Sequence, residues 1–242
     1  VHSPSERCFK VEASDIPRRW MLMVLALQLV RPPKDRFTRF ELMKLYYAPG
    51  ACSLAPHIIL RELNLPFDLI RVDTKTHRTV SGDDFYAVNP KGSVPLLELD
   101  SGERLTEGQV IVRYLCDTAG REDLMPAPKT LARYRVEEWQ NYVTSELHKS
   151  FSPLFNPAFD DAAKLTTRGL LRKKYEWVSA QIADRDYLTG STFTGADAYF
   201  FTVTRWAAFV SVDLSGLEPI ARYMARVNER PAVREALQAE GF

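Results

Sequence analysis

Residues 43–58 read Met43-Lys44-Leu45-Tyr46-Tyr47-Ala48-Pro49-Gly50-Ala51-Cys52-Ser53-Leu54-Ala55-Pro56-His57-Ile58. Lys44 to Tyr47 is rich in strand-forming residues, and Ala48-Pro49-Gly50 is a turn signal. Leu54, Ile58, Ile59 and Leu63 then recur near the helical period. Pro56 fixes where that helix begins. Proline has no N–H and is tolerated only in a helix's first turn, which predicts a start near Ala51–Ser53. Cys52 therefore stands at or just before a helix N-terminus, where free amides and the macrodipole favour an anion.

Downstream, Phe67-Asp68-Leu69-Ile70-Arg71-Val72 alternates as a strand does, and a polar connecting segment follows. Asn89-Pro90-Lys91-Gly92 leads into Val94-Pro95-Leu96-Leu97-Glu98-Leu99. Asp100-Ser101-Gly102 turns that strand back toward Arg104-Leu105-Thr106, a hairpin by its turn chemistry. A helix is predicted from about Glu107 to Thr118, with Val110, Ile111, Tyr114 and Leu115 on one face and Gly120 beyond its end. A β-α-β unit followed by β-β-α within about eighty residues is the arrangement of a thioredoxin-like α/β domain. Met125-Pro126-Ala127-Pro128-Lys129 reads as a break. Beyond it Trp139, Tyr142, Val143 and Leu147, then Leu171, Tyr175, Val178 and Ile182, keep helical spacing, so the second half is all-α. The expected division is 43–121, a linker at 122–128, and a helical domain over 129–242.

Across the whole chain, 242 residues with 45% apolar and 26% charged describe a folded globular protein of one large or two modest domains. Thirty-two basic against 31 acidic residues leave a net charge of +1, so no cationic surplus awaits nucleic acid. Three cysteines, Cys8, Cys52 and Cys116, make no disulfide framework, and with four scattered histidines they offer no metal-ligand spacing. No metal is expected, and the compartment is read as reducing, the cytoplasm before the periplasm. Residues 1–42 differ from the rest, with a net charge of +3 against −2 for 43–242. Arg18-Arg19 precede an apolar run, Met21–Val30, too short to span a bilayer and without a small-x-small cleavage site. The segment is read as a disordered extension or as sequence translated from upstream of a start at Met43.

Several residues invite chemistry, each beside a plainer reading. Cys52 lacks a C-x-x-C partner, since position 55 is Ala; it can exchange with a small thiol or simply fill a strand–helix corner. Pro95 is a candidate for a cis bond that would turn the Val94 backbone outward, or an ordinary trans proline. Glu107-Gly108 can hold a ligand's amine and carboxylate at a helix start, or only cap it. Asn141, Ser145 and His148 share one helical stripe, at i, i+4 and i+7, and His148 can donate to a thiol or thiolate near neutral pH. Thr194-Gly195-Ala196-Asp197, after Phe193, reads as a capping box with a staple, and the structural role outweighs any other there.

Taken together, these motifs resemble the glutathione transferases, and among them the bacterial beta class, over nearly all of 43–242. The resemblance is carried by Met43–Ile58, by Asn89–Pro95 (N-P-K-G-S-V-P), Leu105–Gly108 (L-T-E-G), Glu138–Tyr142 (E-W-Q-N-Y), Ser145–Lys149 (S-E-L-H-K) and Phe193–Tyr199 (F-T-G-A-D-A-Y). It implies a dimeric enzyme with glutathione as co-substrate and no other cofactor, adding the glutathione thiolate to small hydrophobic electrophiles. Cys52 would contact the glutathione sulfur and can form a mixed disulfide with it. Val94 would pair with the cysteinyl backbone beside a cis Pro95, and Glu107 with Gly108 would hold the γ-glutamyl end. Asn141, Ser145, Glu146, Leu147 and His148 would approach from the helical domain, some of them from the partner subunit. His77 stands where the family commonly has a lysine, with Arg78 next to it as a substitute contact for the glycyl carboxylate. Tyr47, Phe151 and Trp206 are the expected walls of the electrophile pocket. Two rival readings share the fold: a protein that sequesters hydrophobic ligands without turnover, and a non-enzymatic partner of RNA polymerase like the stringent starvation protein. Retention of Cys52, Glu107 and His148 argues against the latter.

Overall fold

A computed structural model describes residues 42–242; the reading of the N-terminal segment as an extension falls, up to residue 41, outside the described residues. The chain first forms β1 (Met43–Tyr47), α1 (Leu54–Glu62), β2 (Phe67–Asp73) and β3 (Arg78–Thr79). A 3₁₀ turn at Phe85–Ala87 precedes β4 (Leu96–Glu98), β5 (Arg104–Thr106) and α2 (Gly108–Thr118). Sheet order is β3-β2-β1-β4-β5. β1 pairs in parallel with β2, as a helical crossover requires, and antiparallel with β4; β4 and β5 form the expected hairpin. The short β3, paired antiparallel to β2, and the 3₁₀ turn lie in the stretch read only as a polar connection.

Helices follow: α3 (Leu131–Tyr142), a π-helical segment (Val143–His148), α4 (Lys149–Phe155), α5 (Asp161–Gln181), α6 (Gly195–Phe209), α7 (Glu218–Asn228) and α8 (Pro231–Glu240). The fold is thus a thioredoxin-like mixed sheet followed by an all-helical region. Leu171, Tyr175, Val178 and Ile182 are all buried along α5, as their spacing predicts.

α1 is the hinge of the architecture. It starts at Leu54 with Ser53 as N-cap, placing Pro56 in the first turn where its missing N–H leaves nothing unpaired. Leu54, Ile58, Ile59 and Leu60 are fully buried, each stabilising by about 1.5–3 kcal/mol. They are enclosed because α1 packs against α2, α6 and α8. The face of α2 is one residue off expectation. Ile111, Val112, Leu115 and Cys116 are buried, whereas Val110 is exposed and Tyr114 only half-buried. The cause is the start of α6, which covers Val112: a Cβ on Gly195 would lie 2.5 Å from the Val112 side chain.

The capping box of α6 is present in full. Asp197, completely buried, accepts from the Thr194 amide and hydroxyl, both at 2.8 Å. Its other oxygen accepts from the Leu188 amide at 2.8 Å and the Tyr223 hydroxyl at 2.9 Å. Burial raises its pKa, and these four donors oppose that shift.

Candidate active site

The thiol of Cys52 is placed by the loop before it. Ser53 closes that loop on Ala48, its hydroxyl donating to the Ala48 carbonyl and accepting from the Ala48 amide, both at 3.2 Å. Gly50 is clamped from the helical region: its amide donates to Glu240 at 2.8 Å, and its carbonyl accepts from the Trp206 indole at 2.8 Å. Its φ of +71° suits glycine, and a Cβ there would meet the Phe242 ring at 2.8 Å.

Cys52 donates to the Val94 carbonyl at 3.4 Å, and the Val94–Pro95 bond is cis. Burial pushes the thiol up to about 11, although the amides of Cys52 and Ser53 pull it down. The sequence-based expectation of an anion-favouring position is therefore corrected. Desolvation outweighs the helix terminus, and the resting group is a neutral thiol that acts as a hydrogen-bond donor.

Glu107, with φ +69°, precedes α2 but does not cap it; its carboxylate meets the Lys91 ammonium at 2.8 Å instead. Val94, Pro95, Glu107 and Gly108 line a cavity of about 440 Å³ that also reaches Cys52 and His148. A second cavity, about 620 Å³, is walled by Phe151, Phe155, Trp206, Phe209 and Phe242. Cys52, Thr74 and His148 line both, so the polar and the aromatic space meet at these three residues.

His148 owes its place to the π-helical segment. The Lys149 amide donates to the Thr144 carbonyl, an i→i+5 bond that widens the turn. The stripe expected from α-helical spacing is thereby broken: Thr144 and His148 line the polar cavity, while Asn141 and Ser145 are exposed and line neither space. Ser145 instead donates to the Asn141 carbonyl at 3.1 Å. Leu147 is core, and Glu146 pairs with Lys174 at 3.0 Å, which holds its carboxyl below the usual range. The His148 Nδ1 lies 2.6 Å from the Tyr199 hydroxyl, and the ring meets Trp206 edge-on at 4.7 Å. Burial, aided by Lys149, lowers its pKa to about 4, so the imidazole is neutral near pH 7.

Two further expectations land elsewhere. His77 lines neither cavity; its Nδ1 is 3.0 Å from the Gly92 carbonyl and its ring stacks on Tyr86 at 4.5 Å. Arg78 likewise donates to the Gly82 carbonyl at 2.8 Å. Tyr47 is buried in the core beside His57 and is not a cavity wall, because as the last residue of β1 it turns inward under α1. Phe151 and Trp206 are walls as expected. Thr74, Gln109, Thr144 and Tyr199 were not singled out from sequence, nor were Phe155, Phe209 and Phe242. The three phenylalanines are each more than half exposed and stand outside the core, which nothing in their local sequence marks. Among the described residues, no group of three or more acidic, His or Cys side chains is placed to hold a metal.

Comparison with known proteins follows the same outline. Residues 50–118 match the family model for the glutathione S-transferase N-terminal domain, and residues 142–231 match that for the C-terminal domain. The glutathione S-transferase GstA of Escherichia coli O157:H7 is 50% identical over 200 residues, covering 83% of this chain and all of the relative. A sphingomonad glutathione S-transferase, solved in complex with glutathione, superposes with a TM-score of 0.79 at 41% identity, covering 82% of this chain and 99% of its own. The beta class enzyme of Sphingomonas chungbukensis gives 0.79 at 43% identity, covering 82% and 98%.

Proposed function

The chain belongs to the glutathione S-transferase family and is a transferase with glutathione as co-substrate, and from that premise we propose how its own residues do the work. Glutathione lies in the polar cavity, its cysteinyl backbone on Val94 and its γ-glutamyl end on Glu107 and Gly108. Its sulfur sits at the junction of the two cavities. The observation that carries this reading is the sharing of Cys52, Thr74 and His148 between a polar and an aromatic space. Glutathione's thiol is mostly protonated at neutral pH, so the site must favour its thiolate. Both available side chains are neutral donors. The His148 ring gives an N–H, and the Cys52 S–H can turn from the Val94 carbonyl to the incoming sulfur. The thiolate attacks an electrophilic carbon held against Phe151 and Trp206. A carbon–sulfur bond forms, the leaving group departs with its electron pair, and the thiol proton goes to solvent.

A second activity rests on the position of Cys52 in both cavities. Its S–H rests protonated, and the small thiolate fraction, which grows as pH rises, attacks glutathione disulfide, forming a mixed disulfide and releasing one glutathione thiolate. The molecule is read as a cytoplasmic homodimer, with 122–128 joining its two domains. In that dimer Asn141 and Ser145, which do not line this chain's cavities, reach toward the partner's site. Among the described residues no helix is long and apolar enough to cross a membrane.

The test is conjugation of glutathione to a chromogenic aryl halide, with Cys52→Ala and His148→Ala beside the unaltered chain. A glutathione-dependent rate that falls in His148→Ala is expected. No rate, with glutathione found disulfide-bonded to Cys52, moves the function to exchange. Neither rate nor adduct leaves a protein that binds a hydrophobic ligand or a protein partner.

A further inference from the structure

The hydroxyl of Tyr199, on α6 and only 4% exposed, is 2.6 Å from His148 Nδ1. Which atom holds the proton follows from tracing donors back to a group that can only accept. The Gln140 backbone carbonyl is such a group, and the Thr144 hydroxyl donates to it at 2.8 Å. With its single proton committed, the Thr144 oxygen can only accept, and it does so from Gln109 Nε2 at 2.8 Å. The nitrogen of the Gln109 amide, not its oxygen, therefore faces this cluster. Gln109 and Thr144 are thus bonded to each other and to the backbone, and among the described residues the Tyr199 hydroxyl has one hydrogen-bond partner, His148 Nδ1. A proton on Nδ1 would point at the phenol oxygen and leave the phenol's own proton, on a residue only 4% exposed, without a partner in the protein. The tyrosine therefore donates and His148 Nδ1 accepts.

We propose that Tyr199 is a positioning residue that locks His148 in its Nε2–H form and aims that N–H at the junction of the two cavities. A neutral imidazole carries one proton; with Nδ1 accepting, it must sit on Nε2, on the side of the ring that is not tied to α6. The Tyr199 hydroxyl thus turns a ring that could hold its proton on either nitrogen into a fixed donor at the site. The π-helical turn keeps Thr144 and His148, four residues apart, on the cavity side while it swings Ser145 away from it. The inference rests on the proposed role of His148 as donor to the glutathione sulfur, and its test separates the two.

Nitrogen-15 NMR of the labelled full chain reads the tautomer directly from two-bond couplings to the ring protons. His148→Gln assigns the signal among the four histidines. The expected result is Nε2–H in the unaltered protein at pH 7.5, and a mixture containing Nδ1–H in Tyr199→Phe. With it, kcat falls about tenfold while KM for glutathione stays within about twofold. A thermal melt checks that Tyr199→Phe is folded. An Nδ1–H signal in the unaltered protein, or an unchanged tautomer in folded Tyr199→Phe, overturns the proposal. A shifted tautomer with unchanged kcat upholds the lock and overturns instead the reading of His148 as the donor.

Discussion

Cys52 stands where the loop before α1 meets the cis Val94–Pro95 bond, and its S–H donates to the Val94 carbonyl at 3.4 Å. Burial pushes the thiol up to about 11. Alkylation by iodoacetamide in the absence of glutathione should therefore be slow at pH 7 and still rising at pH 10. A plateau near pH 7 would mean that the helix terminus prevails after all. Cys52→Ala should abolish exchange with glutathione disulfide yet leave glutathione affinity within a few-fold, measured by calorimetry; equal loss of both would remove the division of roles. His148 carries a stability signature of its own. Its folded pKa, about 4, lies below the ordinary 6.5, so between those values the unfolded chain takes up a proton that the native site refuses. The stabilisation it confers is complete above pH 6.5 and is lost as pH falls toward 4, to the extent of roughly 3 kcal/mol. Urea unfolding at pH 7.5 and 5.0 should show a loss that shrinks in His148→Gln.

At the scale of elements, strands and helices were read well wherever one period sufficed, as in β1, α1, the β4–β5 hairpin and α5. The failures have two physical sources. On α2 the buried face is set by the later-arriving α6, whose Gly195 allows close approach to Val112; no local pattern on α2 records that. Around His148 the wider π turn changes which neighbours share a face, so Ser145 was named where Thr144 stands. Thr144→Ala, which removes the hydroxyl that holds Gln109 in the polar cavity, should consequently raise KM for glutathione more than Ser145→Ala does. Comparable rises would argue for ordinary α-helical facing in solution. The Thr194–Asp197 box, by contrast, was legible in four residues because capping is local chemistry. Asp197→Ala strands donors from Thr194, Leu188 and Tyr223 in a dry interior. A loss of roughly 3 kcal/mol or more is expected in chemical denaturation. KM for glutathione of the folded fraction should be unchanged.

For the molecule as a whole, the link between the two halves is a buried polar cluster that sequence patterning passed over. Glu240, on the last helix, accepts from the Gly50 amide at 2.8 Å and from His57 Nδ1 at 2.9 Å, and both its side chain and that of His57 are wholly buried. Arg61 donates to His57 Nε2 at 3.3 Å, which fixes the histidine's proton on Nδ1, toward the carboxylate. The pair joins residues 183 positions apart, so only the finished fold brings it together. Glu240→Ala leaves the Gly50 and His57 N–H groups without acceptors and should destabilise by roughly 3 kcal/mol. It also frees the loop that presents Cys52, so iodoacetamide should modify Cys52 faster at temperatures where the variant is still folded. Glu240→Gln distinguishes geometry from bulk. Its amide offers one oxygen to two donors, and its NH₂ would face the His57 N–H unless that proton moved to Nε2, where Arg61 already donates. The isosteric amide should therefore recover less than half of the stability lost in Glu240→Ala. Full recovery would mean that the carboxylate only fills space between α1 and α8.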